Sequence, residues 1–535
     1  MIYITTYPIT QRINPMRKPL LTTAAVAAMI TLPLAVAAWA DMMPELSYEP
    51  PPWKSGATIV TLNKDDGTLR VSGNGPMDDY DAYDLRHPGN RAPWHIPGVY
   101  YRVINAVAPI TAAVFEEGVT HIGDWAFSAE HDLRSVTIPA SVSSIGKNAF
   151  WNNHDLKSIT VAADNTHYCS VDGVLFNKDK TVLILYPGGI EDSAYAIPNN
   201  VTIIGRNAFY GARVKSVTIS NGVTSIEKQA FSFCQRLTSI TIPGNVKTIG
   251  EDAFADCPDL VSVTIEDGET AIEDGAFYGC TGLTSVSIGN GAKRIGKKAF
   301  LGCRSLMSVT IGSGAATIDD DAFRLCEKLT SVTIGNGVTH IGAGVFSRCK
   351  NLTSVTLPKS VNHIGEFAFA ECDGLMSIKV FGNVRYIGES AFAGCDNLAT
   401  VTIPSGVTEI KHKMFFGCRN LKTVTIPKSV TYIGSYAFMG CPSLTSVILQ
   451  NPRPPEVDSY AFIADNWNPV NMNWSRTDLY VPISGFFAYR ASDTWRVFGS
   501  VKPVGVTRFA LCLLATVLML SAAVFVAIKR LRKLS

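Results

Sequence analysis

Isoleucine recurs along this chain at a spacing that is constant over most of its length. From Ile226 to Ile433 a central isoleucine comes every 23 residues, and a phenylalanine follows each one five residues later. The pattern begins with Ile122 and continues to Val457 and Phe462, where it is one residue out of step. A fixed period of this length predicts a solenoid, because one short unit cannot bury its apolar side without a neighbour.

Within one copy, the apolar residues predict a short strand followed by a tighter turn. Leu237, Ile240 and Ile242 have a leucine-rich spacing, and the last two are separated as on one side of a strand. Val246 and Ile249 are three residues apart, so that segment should turn more tightly, and the GEDAFADC segment that follows has at most short helical or 3₁₀ character. Strands of successive copies should therefore lie side by side, about 4.8 Å apart.

Ten cysteines occupy one position of the repeat, three residues after the phenylalanine. Neighbouring coils would bring their Cα atoms within the usual disulfide range of about 4.4–6.8 Å. A column of equivalent neighbours is also what a small buried residue produces, and we interpret the cysteines as free structural thiols. Disulfides remain the alternative, and a zinc column is disfavoured because a line of single thiols cannot converge on one ion. The column consists of Cys234, Cys257, Cys280, Cys303, Cys326, Cys349, Cys372, Cys395, Cys418 and Cys441.

The outward positions of the predicted strands are mostly serine and threonine. These side chains would form rows along the concave face of the solenoid, with little charge, and repeat proteins bind partners through such extended faces. Lys379 and Lys422 interrupt the rows and would mark a docking zone. The alternative is that serine and threonine are only good strand residues on a solvated face. The candidate ligand contacts are Thr241, Thr264, Thr310, Thr333, Thr356, Lys379, Thr402, Lys422 and Thr425.

The N-terminal segment has the features of a secretory signal. A basic start at Arg17 and Lys18 precedes an apolar run that ends in Ala38-Trp39-Ala40, a form that signal peptidase accepts. We therefore expect residues 1–40 to be a signal peptide, whose length is ordinary if the chain starts at Met16. An uncleaved N-terminal anchor is the alternative.

The C-terminal segment predicts a membrane anchor. Phe509–Ile528 is a continuous apolar run that matches the roughly 20 residues needed to span a bilayer. Basic residues follow it and should remain cytoplasmic. We expect a transmembrane helix at 508–528, a basic cytoplasmic tail at 529–535, and the repeats outside the cytoplasm. A sorting signal that is cut and replaced by a covalent surface linkage is the alternative.

Composition and motifs argue against catalysis. The 535 residues carry a net charge of +2, which gives no reason to expect a nucleic-acid partner. The sequence holds no Gly-rich phosphate loop, no His-Glu-x-x-His and no Gly-x-Ser-x-Gly motif. We therefore predict no enzyme, no cofactor, no metal site and no small-molecule substrate. His340 and His363 would be neighbours, but their position in the repeat is a solvated one.

The consensus L-T-S-V-T-I-x-x-x-V-x-x-I-G-x-x-A-F-x-x-C resembles the BspA-type (Treponema pallidum-type) leucine-rich repeat of bacterial and protist surface proteins. The resemblance covers about residues 58–505. The segment YCSVDGVLFNKDKTVLILYP, at 168–187, is similar to an insertion typical of that family. DDGTLRVSGNGPMDDY, at 65–80, and LYVPISGFFAYRASDTWRVFGSVKPV, at 479–504, are similar to its caps.

The resemblance implies an α+β solenoid, coiled right-handedly, with short strands on the concave face and short helical or 3₁₀ turns opposite. It also implies a β-rich N-terminal cap with a hairpin at 41–109, repeats at 110–465 with an insertion at about 151–200, and a C-terminal cap at 466–505. The resemblance further implies a non-enzymatic surface protein that acts as an adhesin or receptor and binds a host matrix protein, another cell or a glycan through its solenoid face. A structural envelope spacer, or a self-associating surface-layer component, is the alternative function.

Overall fold

The computed structural model describes residues 52–81, 92–94, 109–380, 383–458, 460–462, 476–495 and 498–504. The predicted signal peptide, the predicted helix at 508–528 and the basic tail lie outside these residues. Among the residues described, no helix combines the length and the hydropathy needed to cross a bilayer.

An antiparallel hairpin begins the described chain and joins the repeats edge to edge. Its turn contains the Asp65-Asp66-Gly67 segment that predicts it, and Val60 is paired with Val71 across the hairpin. The last long strand of this unit then pairs in parallel with the first strand of the repeats, so the sheet edge is covered. The strands are β1 (Trp53–Ser55), β2 (Thr58–Asn63), β3 (Thr68–Gly73) and β4 (Gly75–Pro76).

The S-V-T-I segments lie side by side as parallel long strands, which we call the long-strand sheet; its hydrogen bonding is divided into four segments. Equivalent residues of neighbouring coils are paired, as Ile240 is with Val263 and Thr241 with Thr264. The alternation is as predicted, with apolar side chains buried and hydroxyl side chains outward. The strands are β5 (Ala112–Phe115), β7 (Ser135–Ile138), β9 (Ser158–Val161), β15 (Ser216–Thr218), β17 (Ser239–Ile242), β19 (Ser262–Ile265), β21 (Ser285–Ile288), β23 (Ser308–Ile311), β25 (Ser331–Ile334), β27 (Ser354–Thr356), β29 (Ser377–Lys379), β31 (Thr400–Thr402), β33 (Thr423–Ile426) and β35 (Ser446–Leu449).

The central isoleucines form a second set of parallel strands, which the sequence did not predict; this short-strand sheet is divided into three hydrogen-bonded segments. Each coil contributes a short strand, and Ile249 is paired with Ile272 as Thr248 is with Ala271. The strands are β6 (Val119–Ile122), β8 (Ser144–Ile145), β14 (Ile203–Ile204), β16 (Ser225–Ile226), β18 (Thr248–Ile249), β20 (Ala271–Ile272), β22 (Arg294–Ile295), β24 (Thr317–Ile318), β26 (His340–Ile341), β28 (His363–Ile364), β30 (Tyr386–Ile387), β32 (Glu409–Ile410), β34 (Tyr432–Ile433) and β36 (Glu456–Val457).

The third side of each coil is a series of turns, so the prediction of short helical or 3₁₀ segments there was wrong. Asp252 and Asp256, on either side of Phe254, both have φ at 54°, in the left-handed region. The Phe254 N–H donates to the Ala276 carbonyl of the next coil at 2.7 Å. Alternate amides thus bond between coils, which leaves them unavailable for the bonds of a helix. Within the described residues, helix is confined to a 3₁₀ turn (Ile483–Gly485) and α1 (Phe486–Ala491).

The insertion supplies a hairpin and one further coil. Its first two strands pair antiparallel, and its third joins the short-strand sheet in parallel with β14. The fourth strand pairs with β15 in the long-strand sheet. The strands are β10 (Tyr168–Val171), β11 (Val174–Asn177), β12 (Val182–Leu185) and β13 (Ala194–Ala196).

The phenylalanines form a stack along the interior of the solenoid. Ring centroids from Phe209 to Phe438 are 4.6–5.7 Å apart, and neighbouring rings are close to parallel. Offset stacking at this distance is favourable beyond the apolar area it buries. The stack continues to Phe462, at 5.1 Å from Phe438, and Trp495 packs edge-on against it. Beyond this point β37 (Asp478–Val481) and β38 (Ser500–Pro503) extend the long-strand sheet.

Candidate binding surface

The outward hydroxyls of five neighbouring strands are held in register. Thr241 is paired with Thr264, Thr264 with Ser287, Ser287 with Thr310, and Thr310 with Thr333. A parallel row of serines precedes them, and most of these side chains are exposed. We call this surface the hydroxyl face; it consists of Ser239, Thr241, Ser262, Thr264, Ser285, Ser287, Ser308, Thr310, Ser331 and Thr333.

The remaining candidate contacts lie on separate segments of the long-strand sheet. Thr356 is paired with Lys379, and Thr402 with Thr425. The ladder is interrupted between β25 and β27 and again between β29 and β31, so these positions do not extend the hydroxyl face without a break. Thr425 is half-buried beside Ile448, whereas the other strand candidates are exposed.

Lys422 precedes β33 and belongs to a neighbouring row, where it is exposed. That row also carries three exposed apolar side chains that sequence reasoning missed. Val261 is 47% exposed, Met307 49% and Met376 60%. Other copies have threonine at this position, for example Thr330. A hydrophobic residue at a position that is otherwise polar could therefore have indicated these side chains from the sequence. Two of the three directly precede strands of the hydroxyl face.

Charge is concentrated on another side of the solenoid. Arg294, on the short-strand sheet, contacts Glu273 at 3.0 Å, Asp274 at 2.9 Å and Asp319 at 2.5 Å. The hydrogen bond to Asp319 is the main cause that raises the pKa of the guanidinium group. These contacts join successive coils, whereas the hydroxyl face has no ionisable side chain. The hydroxyl face is therefore suited to a partner recognised by hydrogen bonds and apolar contact.

The ten cysteines lie in one buried column and are unpaired in the structure. Each Sγ lies 3.0–3.4 Å from the carbonyl oxygen of the phenylalanine one coil earlier, as Cys303 does from Phe277. Burial raises the pKa of the Cys303 thiol well above its ordinary value. The thiol therefore stays protonated and can donate to that carbonyl, which explains cysteine at a position that alanine would also fill.

His340 and His363 stack at 5.4 Å between ring centroids on the short-strand sheet, and Tyr386 continues the stack at 4.4 Å. Across the described ranges, no group of three or more His, Cys, Asp or Glu side chains is placed to hold a metal ion. Two imidazoles alone do not make a structural zinc site, which needs four ligands.

A sequence profile of the BspA type leucine rich repeat region matches residues 103–177, 193–283, 270–399 and 386–512, which together make up more than half of the chain. The chain belongs to this family. The repeats of this chain are therefore BspA-type leucine-rich repeats.

Several solved structures of leucine-rich repeat proteins are similar to this chain. A leucine-rich repeat protein from Bacteroides ovatus is 23% identical over 75% of this chain and 95% of its own, with a TM-score of 0.44. A leucine rich cell surface protein from Faecalibacterium prausnitzii is 26% identical over 79% of this chain and 100% of its own, with a TM-score of 0.37. The T. pallidum leucine rich repeat protein is 28% identical over 38% of this chain and 77% of its own, at 0.26. None of the curated proteins compared gives a significant match.

Proposed function

We propose that this BspA-type protein is a non-enzymatic cell-surface protein that binds a macromolecular partner, an extracellular protein or a glycan, through the hydroxyl face. It would act as an adhesin or a receptor. The observation that carries the proposal is the register of five strands, which holds exposed hydroxyls in two straight rows. A rigid row of donors and acceptors loses little conformational entropy when it binds, because the strands already fix the backbone.

The composition of the surface supports a macromolecular partner. Met307 and Val261 add exposed apolar area beside the rows, and apolar side chains surrounded by polar ones are typical of interaction surfaces. Localisation at the surface is proposed from the sequence, which predicts a signal peptide at 1–40 and a transmembrane helix at 508–528.

The test is a binding titration of the purified full-length chain against immobilised matrix proteins and glycans. A double variant, Thr264→Arg with Thr310→Arg, places two large cations on the hydroxyl face and should weaken binding by about tenfold or more. The matched control is Thr408→Arg with Thr431→Arg, which alters two exposed threonines that precede short strands. The control should bind as the unmodified chain does.

Two results would contradict the proposal: no saturable binding to any member of the panel, or equal loss in the face variant and the control. Sedimentation of the same samples tests the alternative function. If the face variant changes self-association and leaves partner binding unchanged, the protein is a spacer rather than a receptor.

A further inference from the structure

A pocket of about 190 Å³ lies where the insertion meets the repeats. It is formed by the turn at 145–153, the end of β12 with the residues that follow it, and the turn at 206–210. These segments belong to the short-strand sheet and the turn side of the solenoid, so the pocket does not share residues with the hydroxyl face.

The pocket coincides with a break in the stack of aromatic rings. Phe150 stacks on Phe127 at 5.8 Å, and Tyr186 stacks on Phe209 at 4.8 Å, and both Phe150 and Tyr186 line the pocket. Among the described residues no ring contact joins Phe150 to Tyr186, and the buried core divides into two clusters at this point. Ile145, whose equivalents are fully buried in most coils, is partly exposed here.

Three residues of the pocket lining each carry a buried side-chain oxygen that has no hydrogen-bond partner within the described chain: Asn153 Oδ1, Asn207 Oδ1 and Tyr186 OH. Their residues are 5%, 6% and 1% exposed, in that order. The orientation of Asn153 is fixed, because its Nδ2 donates to the Phe127 carbonyl at 2.9 Å and a carbonyl can only accept. Burying such atoms unpaired is unfavourable, so the lining is suited to a guest that carries several hydroxyl donors.

The rim adds an aromatic wall and positive charge. Trp151 and Tyr210 lie with ring centroids 4.8 Å apart. Lys147 and Arg206 also line the pocket, both are exposed, and neither forms an ion pair with a described residue. No aspartate or glutamate is in the lining. An aromatic face attracts the C–H edges of a sugar ring, and the two cations favour a carboxylate.

We propose that this pocket binds one acidic sugar residue, a hexuronic acid within or at the end of a glycan. The volume equals that of about six water molecules at roughly 30 Å³ each, which a six-membered ring with its hydroxyls would displace. The hydroxyls donate to the two asparagine oxygens and exchange hydrogen bonds with Tyr186, while the carboxylate lies toward Lys147 and Arg206. This site is additional to the hydroxyl face and does not depend on the function proposed for it.

The test is calorimetric titration of the full-length chain with glucuronate, and with glucose as the uncharged comparison. Saturable binding of glucuronate, with weaker binding of glucose, is expected. Tyr186→Phe removes only the hydroxyl and should weaken glucuronate binding by about 2- to 13-fold, the range for one net hydrogen bond. Asn207→Gly should weaken it as well, and it is compatible with the backbone because Gly275 occupies the same slot at φ 66°.

The matched control is Tyr195→Phe, which makes the same change beside Tyr186 but outside the pocket lining. It should leave the affinity unchanged. A pocket that only holds water would show no saturable binding of either sugar, and that result would overturn the proposal. Equal affinity for glucose and glucuronate would overturn the assigned ligand class, and equal weakening by Tyr195→Phe would show that the effect is not local.

Discussion

The regular coils run from Ile226 to Cys441, and the junction between the insertion and the repeats spans 145–210. Both are built from the same repeat, but the junction lacks some of the contacts that a regular coil makes with its neighbours. In the regular coils each phenylalanine stacks on both neighbours and each cysteine thiol meets a carbonyl oxygen. At the junction a tyrosine, Tyr186, takes the phenylalanine slot, its ring has an aromatic neighbour on one side of the stack only, and its hydroxyl is unpaired.

The difference shows where a repeat protein can place specific chemistry. Where every coil has an identical neighbour, the inward apolar side chains are covered, so the interior leaves no space for a ligand. The insertion removes one such neighbour and leaves space and polar atoms together. Departures from local rules are expected to gather at functional sites, and the junction is where this chain departs from its period.

Removing an aromatic ring from the middle of the phenylalanine stack should have the largest effect on stability. Phe300→Ala deletes a side chain that lies 5.0 Å from a ring on each side, and should lower the free energy of unfolding by about 3–5 kcal/mol. Phe150→Ala, at the junction, should be at or below the low end of that range, because the adjoining pocket already leaves one side uncovered. Chemical denaturation of both variants measures the difference, with Thr310→Ala as a surface control. Equal losses would contradict the contrast between the two regions.

Exchanging the two aromatic residues tests whether the junction is adapted to a hydroxyl group. Phe209→Tyr adds a hydroxyl to a fully buried side chain and should lower the free energy of unfolding by about 1–3 kcal/mol. Tyr186→Phe removes a hydroxyl that has no partner, and should be neutral or stabilising in the absence of ligand. Thermal unfolding of the two variants beside the unmodified chain provides the readout. A larger loss in Tyr186→Phe would show that the hydroxyl has a structural partner.

The regular coils could be predicted from the sequence because identical residues stack on identical residues. The spacing of Ile240 and Ile242 was sufficient to place the long strands and their outward hydroxyls. The second sheet was missed because a strand as short as Thr248–Ile249 has no alternation to detect, and the spacing from Val246 indicated a turn. Helical turns were expected since the sequence does not show that Asp252 adopts a left-handed conformation.

The junction could be located but not interpreted. The gap between Ile145 and Ile204 indicated an insertion, yet its residues follow no period, so nothing in the pattern places Asn153 near Asn207. Tyr186 occupies the position that phenylalanine has in the other coils. This equivalence is visible only in the structure, where the Tyr186 ring stacks on Phe209. A pocket between segments that are distant in the sequence depends on how the fold brings them together. The spacing of residues along the chain does not contain that information.

The cysteine column offers a smaller test of the regular coils. Cys303→Ala removes the donor to the Phe277 carbonyl and a buried sulfur atom, and should lower the free energy of unfolding by about 1 kcal/mol. Since the thiols of the column are buried, they should not react with iodoacetamide until the chain is unfolded. Mass spectrometry after alkylation, with and without denaturant, counts the reactive thiols. Masses that show intact disulfides between column members would contradict the interpretation of free thiols.

Acidification should have the smallest effect on the free energy of unfolding, and it should act both in the regular coils and at the junction. Burial, with the neighbouring His340, lowers the pKa of His363 in the regular coils, and burial, with His131, lowers the pKa of His154 at the junction. Because the pKa of each histidine is lower in the folded chain, the unfolded chain binds the proton more readily. The contribution to stability is therefore retained above the unfolded pKa of about 6.5 and is lost as the pH falls through the pKa of the folded chain. His363→Gln should leave stability at pH 7.5 unchanged and reduce the decline between pH 7 and pH 5, measured as the denaturation midpoint. A steeper decline in the variant would show that protonation of His363 stabilises the stack.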